Sequence, residues 1–177
     1  DLIKTHSYES GLAMGLVPCN DEQLIWFIQI DNEKWNIDNS SAQAKKEFVM
    51  NNLHEWPAPI QQLLKYCDFD KANVWSTKDM DLLPSFHHKN IILAGDAAHI
   101  ALPFTSQGTN SALKDALVLG NILKNASAQS DFEMLFTLYY EKRKDELMKY
   151  LLFGREMEHY FLHPHVYDTE IPLPMVK

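Results

Sequence analysis

The residues best placed to do chemistry lie between positions 91 and 123, and the first of them is a carboxylate. Asp96 follows Gly95 at the end of the short apolar run 91–94. An uninterrupted apolar run of this length is typical of a buried strand, often a parallel one. Ligands of open α/β sheets bind beyond the carboxyl ends of the strands, where a carboxylate can accept hydrogen bonds from sugar or polyol hydroxyls. In the structural alternative, Asp96 only caps a following helix.

The second group of candidate residues stands where a long helix is predicted to begin. Residues 106–110 read Ser-Gln-Gly-Thr-Asn. The first amides of a helix lack intrahelical partners and lie at the positive end of its dipole, so they would stabilise negative charge on a bound group. Gly108 permits close approach of the backbone, as the small residues Ala97 and Ala98 also do. A glycine before a helix can equally be a simple turn.

An antiparallel hairpin is predicted near the start of the chain. Two apolar runs, 11–17 and 24–30, flank residues 18–23, which have the composition of a turn. The second run is apolar almost throughout, so it is either buried on both faces or lines a pocket. Aromatic side chains often line apolar ligand sites, so three residues are candidates for a substrate pocket, with core packing as the simpler alternative: Trp26, Phe27 and Trp75.

Helical spacing and capping residues predict the remaining elements. Two capping boxes are expected, one of Ser40 with Gln43 and one of Ser130 with Glu133. The predicted ranges are a helix over 40–55, a helix over 58–66, a strand over 72–76, a helix from 108 onward, and a helix from 130 to about 153. The apolar stripe of the helix from 108 comprises Ala112, Leu113, Ala116, Leu117, Gly120 and Leu123.

Composition excludes several functions. The chain has 177 residues and a formal net charge of −8, which argues against a general nucleic-acid binder. No apolar run approaches the roughly 20 residues that a bilayer-spanning helix needs. The six glycines include no GxG pair, so neither a GxGxxG fingerprint nor a GxxxxGK[ST] phosphate loop is present. The N-terminus does not read as a signal peptide, and we expect a cytoplasmic protein.

The cysteines and histidines do not predict a metal site. Cys19 and Cys67 form neither a disulfide framework nor a zinc motif. The histidines at 159, 163 and 165 are loosely spaced and interrupted by Pro164, so no metal is expected there. No catalytic triad is recognisable either.

Residues 95–116 together resemble the GD motif of the FAD-dependent aromatic hydroxylases, the para-hydroxybenzoate-hydroxylase-like monooxygenases. That pattern is approximately GDAAH, a proline, GQGxN, and then Asp-Ala in a helix. This chain has Ser106 where the family usually has the first glycine of GQG. The matching residues are Gly95, Asp96, Ala97, Ala98, His99, Pro103, Gln107, Gly108, Thr109, Asn110, Asp115 and Ala116.

The resemblance implies an FAD site. In this family Asp96 would bond the ribityl chain, Pro103 would lie beside the isoalloxazine ring, and the amides at residues 108–110 would face its N1–C2=O edge. The full expected set is Gly95, Asp96, Ala97, Pro103, Gln107, Gly108, Thr109 and Asn110.

The resemblance also implies the reaction. NAD(P)H would reduce the flavin, and oxygen would form a C4a-hydroperoxide that hydroxylates a small aromatic or polycyclic substrate. No side chain is assigned a catalytic role. We expect His99 to support or pack the site, and Tyr140 and Arg143 to make structural contacts.

The implied fold is a mixed α+β or α/β structure, the C-terminal part of the FAD/NAD(P)-binding monooxygenase fold. It would contain a piece of the antiparallel substrate-domain sheet, one buried strand of the FAD domain and long C-terminal helices. The expected ranges are a substrate-domain part at 1–85, an FAD-domain part at 86–155 and an extended tail at 156–177.

The family's GxGxxG precedes this portion, so the chain alone is not expected to hydroxylate. We expect it to associate with the upstream half of the same polypeptide or with itself. The alternative function is a non-enzymatic binding module that retains half of the fold.

Overall fold

The computed structural model describes residues 3–7 and 11–163, which are a mixture of helices and sheet. The chain divides into two compact units, with the division between Ser76 and Thr77. This point lies nine residues before the end of the predicted range 1–85. The assignment of the two ranges to a substrate domain and an FAD domain remains a prediction.

The first unit contains a three-stranded antiparallel sheet in the order β1-β2-β3. The strands are β1 (Ile3–Ser7), β2 (Leu12–Pro18) and β3 (Leu24–Ile30). The register pairs Leu12 with Ile30 and Pro18 with Leu24, which confirms the predicted hairpin; β1 was not predicted. Gly15 lies opposite Phe27, and a Cβ at Gly15 would collide with the Phe27 ring. The sheet therefore requires glycine at this position.

Two helices cover the apolar side of this unit: α1 (Ala42–Asn52) and α2 (Ala58–Leu64). The N-cap of α1 is Ser41, whose hydroxyl accepts from the Ala44 amide at 3.1 Å. The expected Ser40–Gln43 box is therefore wrong, because the Ser40 amide donates to Asp38 instead. The core of the unit consists of Leu12, Met14, Val49, Leu53, Ile60, Leu64 and Phe69.

The strand predicted over 72–76 does not form. A short 3-10 helix (Phe69–Lys71) precedes this segment, and residues 72–76 have no regular secondary structure. Trp75 is 82% exposed. An aromatic and β-branched pattern indicates a strand only where a neighbouring strand can pair with it, and none does in the described residues.

The second unit begins its regular structure with a minimal hairpin of β4 (His87–His88) and β5 (Ile91–Ile92). The two strands are antiparallel, and the Leu93 amide donates to the Phe86 carbonyl at 2.7 Å. The prediction of a buried strand over 91–94 is wrong for this structure, since Ile91 is 66% exposed. Only one edge of β5 is paired in the described residues, and Ile92 is only partly buried against the apolar cluster of the unit.

The described residues of the second unit also form three α-helices: α3 (Asp96–His99), α4 (Gly108–Leu123) and α5 (Phe132–Leu162). The N-cap of α5 is Asp131, which accepts from the Met134 amide at 3.0 Å, rather than the predicted Ser130. Because α5 continues to Leu162, residues 156–162 are helical and not an extended tail. Residues 164–177 lie outside the described part of the chain.

The predicted apolar stripe of α4 does not face the core. Leu113 and Leu117 are 61% and 68% exposed, whereas the buried residues of α4 are Ser111 and Asp115. The apolar cluster of the unit is built on Phe86, Ala98, Tyr139 and Leu147. In the residues that the structure describes, none of the helices is both long and apolar enough for a membrane span.

Candidate functional site

The first part of the candidate site is the turn that leads into α3. Gly95 is buried with φ +57° and ψ −143° and is the N-cap of α3. This backbone conformation favours glycine, and a Cβ here would also lie 3.3 Å from the Ala112 Cβ on α4. Asp96 is the first residue of the helix and is exposed. Its carboxylate is therefore not the N-cap that the structural alternative required, and it remains open to solvent.

The second part of the site is the start of α4. A 3-10 helix (Pro103–Thr105) precedes it, and Ser106 adopts φ +54° and ψ +24°. This is the left-handed region that is uncommon for residues other than glycine, and it occurs where the family pattern has a glycine. Gln107 is the N-cap of α4 but makes no side-chain capping bond. The loop thus brings the chain into the helix without covering the first amides.

Those first amides lie on an open surface. The Ser111 amide donates to the Gln107 carbonyl at 2.8 Å, so the amides of residues 108–110 precede the first intrahelical bond of α4. Gly108, Thr109 and Asn110 are all exposed. Nothing lies within 4 Å of a Cβ built on Gly108. The space on the side of Gly108 where a Cβ would lie is therefore open.

A small cavity lies between the end of α3 and the start of α4. Its lining includes His99 from α3, Gln107 and Gly108 from the start of α4, and Tyr150 from α5. Ala97 and Pro103 are exposed nearby in sequence. Within residues 3–7 and 11–163, no group of three or more His, Cys, Asp or Glu residues is placed to hold a metal ion.

The three aromatic candidates do not share one environment within their unit. Trp26 packs against the core at 5.8 Å from the Phe69 ring centroid. Phe27 is the next residue of β3, so its side chain points to the opposite face of the sheet, where it covers Gly15. Trp75 is on the surface. Their role in a substrate pocket stays a prediction.

The most unusual chemistry is a buried carboxylate, Asp115, that the sequence alone did not single out as functional. Asp115 is 0% exposed. Its Oδ2 accepts from the Gly95 amide at 2.8 Å and from His99 Nε2 at 2.5 Å. Its Oδ1 accepts from Arg143 Nε at 2.6 Å. The sequence does contain one signal for Asp115, an acidic residue within the motif. Its partner Arg143 is 28 positions away, so the pair could not be recognised from the sequence alone.

Arg143 is also completely buried. Its Nη2 donates to the Ser111 carbonyl at 3.2 Å, and its Nη1 donates to Glu146. Glu146 in turn accepts from Lys114 at 2.6 Å. The two positive and two negative side chains therefore form one network between α4 and α5.

These contacts determine the protonation state of the cluster. Burial alone would raise the pKa of Asp115, but the bonds from His99, Arg143 and the Gly95 amide together lower it from 3.8 to about 2. The carboxylate is therefore ionised near neutral pH and acts only as an acceptor, so His99 Nε2 carries the shared proton. Burial first, and then the charge of Asp115, raises the pKa of the Tyr139 hydroxyl. No described group bonds this hydroxyl.

Comparison with known proteins identifies the family of the chain. The profile of the FAD binding domain family matches residues 2–152. Hispidin-3-hydroxylase from Neonothopanus nambi is 30% identical over 115 residues, covering 65% of this chain and 27% of that protein. The 6-hydroxynicotinate 3-monooxygenase of Pseudomonas fluorescens is 27% identical over 147 residues, covering 83% of this chain and 37% of that protein.

The fold has solved counterparts. Klebsiella pneumoniae HpxO, crystallised with FAD and uric acid, superposes with a TM-score of 0.76 at 20% identity, covering 89% of this chain and 39% of HpxO. The chain thus spans well under half the length of these relatives. The profile match covers most of the 177 residues. The chain therefore belongs to the FAD binding domain family, together with the monooxygenases that it is similar to in sequence.

Proposed function

We propose that the protein carrying this chain is an FAD-dependent monooxygenase that hydroxylates a small aromatic or polycyclic substrate. One observation carries the proposal: an exposed carboxylate, Asp96, and an open helix N-terminus at Gly108 occur in the order of the family's GD motif. The similarity of the chain to named monooxygenases supports the reaction class. The residues would form one side of the flavin site.

The residues present fit the cofactor. The Asp96 carboxylate, free of a capping role, would accept hydrogen bonds from ribityl hydroxyls. The amides of Gly108, Thr109 and Asn110, which precede the first intrahelical bond of α4, would donate to the carbonyl edge of the flavin ring and stabilise negative charge on it. Gly95, Ala97, Pro103 and Gln107 would form the surrounding backbone surface.

When bound, FAD supplies the redox and oxygen chemistry, with NAD(P)H as the proposed reductant. This chain's contribution is to orient the ring, to stabilise charge on it and to exclude water from one side. The pyrophosphate contacts would come from a different segment of polypeptide, since the chain has no GxG sequence. We propose that this segment is the upstream half of the same protein, and that the chain by itself does not hydroxylate.

The proposal is tested by FAD binding. Apoprotein of the complete polypeptide that carries this chain is titrated with FAD, and binding is followed by flavin fluorescence. Asp96→Ala is expected to weaken FAD binding by about tenfold, the equivalent of one hydrogen bond to a charged group. Asp145→Ala, which removes an exposed carboxylate from α5, is the matched control and should bind like the wild type.

The outcomes separate the candidate functions. Wild-type protein that does not bind FAD would refute the proposal. FAD binding without NAD(P)H-dependent oxygen consumption, across a panel of hydroxylated aromatic acids, would instead support the non-enzymatic binding module.

A further inference from the structure

Asp115 divides its two carboxylate oxygens between different parts of the molecule. Oδ2 bonds only the α3 region, through the Gly95 amide and His99 Nε2. Oδ1 bonds Arg143 of α5. The residue itself belongs to α4. One side chain therefore joins α3, α4 and α5.

We propose that Asp115 is the positioning residue of the FAD site, an inference that rests on the proposed function. It would set the position of the Asp96 carboxylate relative to the first amides of α4. Asp115 would not touch the cofactor itself. It would act through the Gly95 amide and through His99.

The two residues that bind Oδ2 flank Asp96 in the sequence. Gly95 precedes Asp96, and His99 is the last residue of the single helical turn that Asp96 begins. Both bonds are short and buried, and hydrogen bonds to an ionised group are directional and strong. Because α3 has only four residues, it has little intrinsic stability of its own. The two bonds to Asp115 therefore fix both ends of the turn that carries Asp96.

The helix that carries Asp115 also carries the second part of the site. Asp115 lies seven residues after Gly108 on α4, a rise of about 10 Å along a rigid helix. A bond from Asp115 to the Asp96 turn thus fixes the distance between the Asp96 carboxylate and the amides of residues 108–110. Both groups would have to meet one flavin at the same time, so this distance matters for binding.

Arg143 donates to Oδ1, the other oxygen of Asp115, and keeps this carboxylate ionised and oriented. Its bonds to Oδ1 and to the Ser111 carbonyl approach α4 from α5. A contact at Oδ1 does not involve Gly95 or His99. The two sides of the cluster can therefore be separated by mutation.

The test compares FAD affinity with stability in the complete polypeptide. Asp115→Asn and His99→Asn each disturb the bonds at Oδ2, and His99→Asn leaves the Asp115–Arg143 pair in place. Phe136→Ala is the matched control, because Phe136 is buried in α5 and is not part of the cluster. For each variant, the urea midpoint of the apoprotein and the dissociation constant of FAD are measured where the protein is fully folded.

We expect Asp115→Asn and His99→Asn to raise the FAD dissociation constant by about tenfold or more. Both should also alter the visible circular dichroism of the bound flavin at saturation. Phe136→Ala should change the dissociation constant by less than about threefold, although it lowers the urea midpoint. If Asp115→Asn fails to fold, the FAD affinity of His99→Asn decides whether the inference holds.

Two results would overturn the inference alone. The first is that Phe136→Ala weakens FAD binding as much as the variants of the cluster do, because affinity would then follow stability only. The second is that His99→Asn binds FAD like the wild type. Wild-type protein that does not bind FAD would refute the proposed function and this inference together.

Discussion

The two units of the chain are stabilised by different interactions. The first has a core of seven buried apolar residues from the sheet, its two helices and the short 3-10 helix. The second has a smaller apolar cluster, of four buried residues, and it also buries an ionised pair, Asp115 with Arg143. Apolar burial is non-directional, whereas bonds between charged groups fix distances and angles. Directional contacts thus occur in the unit that contains the candidate site residues of the GD-type motif.

The largest expected effect comes from separating the buried pair. Arg143→Met leaves the Asp115 carboxylate buried without its cation, which should cost about 3–5 kcal/mol in the free energy of unfolding. Urea denaturation of the complete polypeptide measures it. The double variant Asp115→Asn with Arg143→Met should recover part of the loss, because both charges are then gone. A cost under about 1 kcal/mol for the single variant would mean that the pair does not stabilise the second unit.

In the first unit, a loss of stability of similar size is expected from removing a buried apolar side chain. Leu53 is 0% exposed in the apolar core, so Leu53→Ala should lower the free energy of unfolding by about 3 kcal/mol. The loss should be the same at pH 4 and at pH 7. Leu24→Ala is the control, since Leu24 is 42% exposed and should have little effect. A strong pH dependence of the Leu53→Ala loss would contradict the contrast between the units.

The second unit should be sensitive to acid. The pKa of Asp115 is about 2 in the folded state, below its ordinary value of 3.8, so the folded state favours the ionised form. Its stabilisation is complete above pH 3.8 and is lost as pH falls toward 2, by about 2 kcal/mol in total.

Urea midpoints between pH 5 and pH 2 measure this loss. Asp115→Asn should remove the corresponding part of the pH dependence. Parallel curves of urea midpoint against pH for the wild type and Asp115→Asn would refute this prediction.

The smallest effect is expected from an ion pair at the surface of the same unit. Arg155 donates to Asp79 at 2.7 Å and contacts Asp81 at 2.8 Å, but its side chain is 38% exposed. Arg155→Gln should therefore cost about 0.5 kcal/mol, and less at high salt. A loss as large as that of Arg143→Met would show that exposure does not distinguish the two arginines.

The sequence was sufficient for features that depend on near neighbours. The hairpin follows from two apolar runs around a turn, and the start of α4 follows from Gly108 and the helical spacing after it. The caps were each misplaced by one residue, Ser40 for Ser41 and Ser130 for Asp131, because adjacent residues have the same capping chemistry. Local pattern identifies that a helix begins, but geometry decides which side chain reaches the free amide.

Features that depend on distant neighbours could not be predicted. Spacing identified Leu113 and Leu117 as one apolar stripe of α4, yet it could not show that the helix buries Ser111 and Asp115 instead. The buried charge of Asp115 is satisfied by Arg143, which is 28 residues away along the chain. Residues 72–76 formed no strand for a related reason, since a strand requires a partner that its own sequence does not specify. The motif residues were recognisable, but the cluster beneath them was not.

The length of α5 limits the insertions and deletions that its coding sequence can accept. Arg143 and Arg155 reach separate partners, Asp115 and Asp79, from a single helix of 31 residues. Because each residue turns a helix by about 100°, one codon inserted or deleted between these arginines would rotate one partner contact away from the other. We therefore expect the exposed positions between them to accept exchanges of residue, whereas a change in the number of residues would break one of the two contacts.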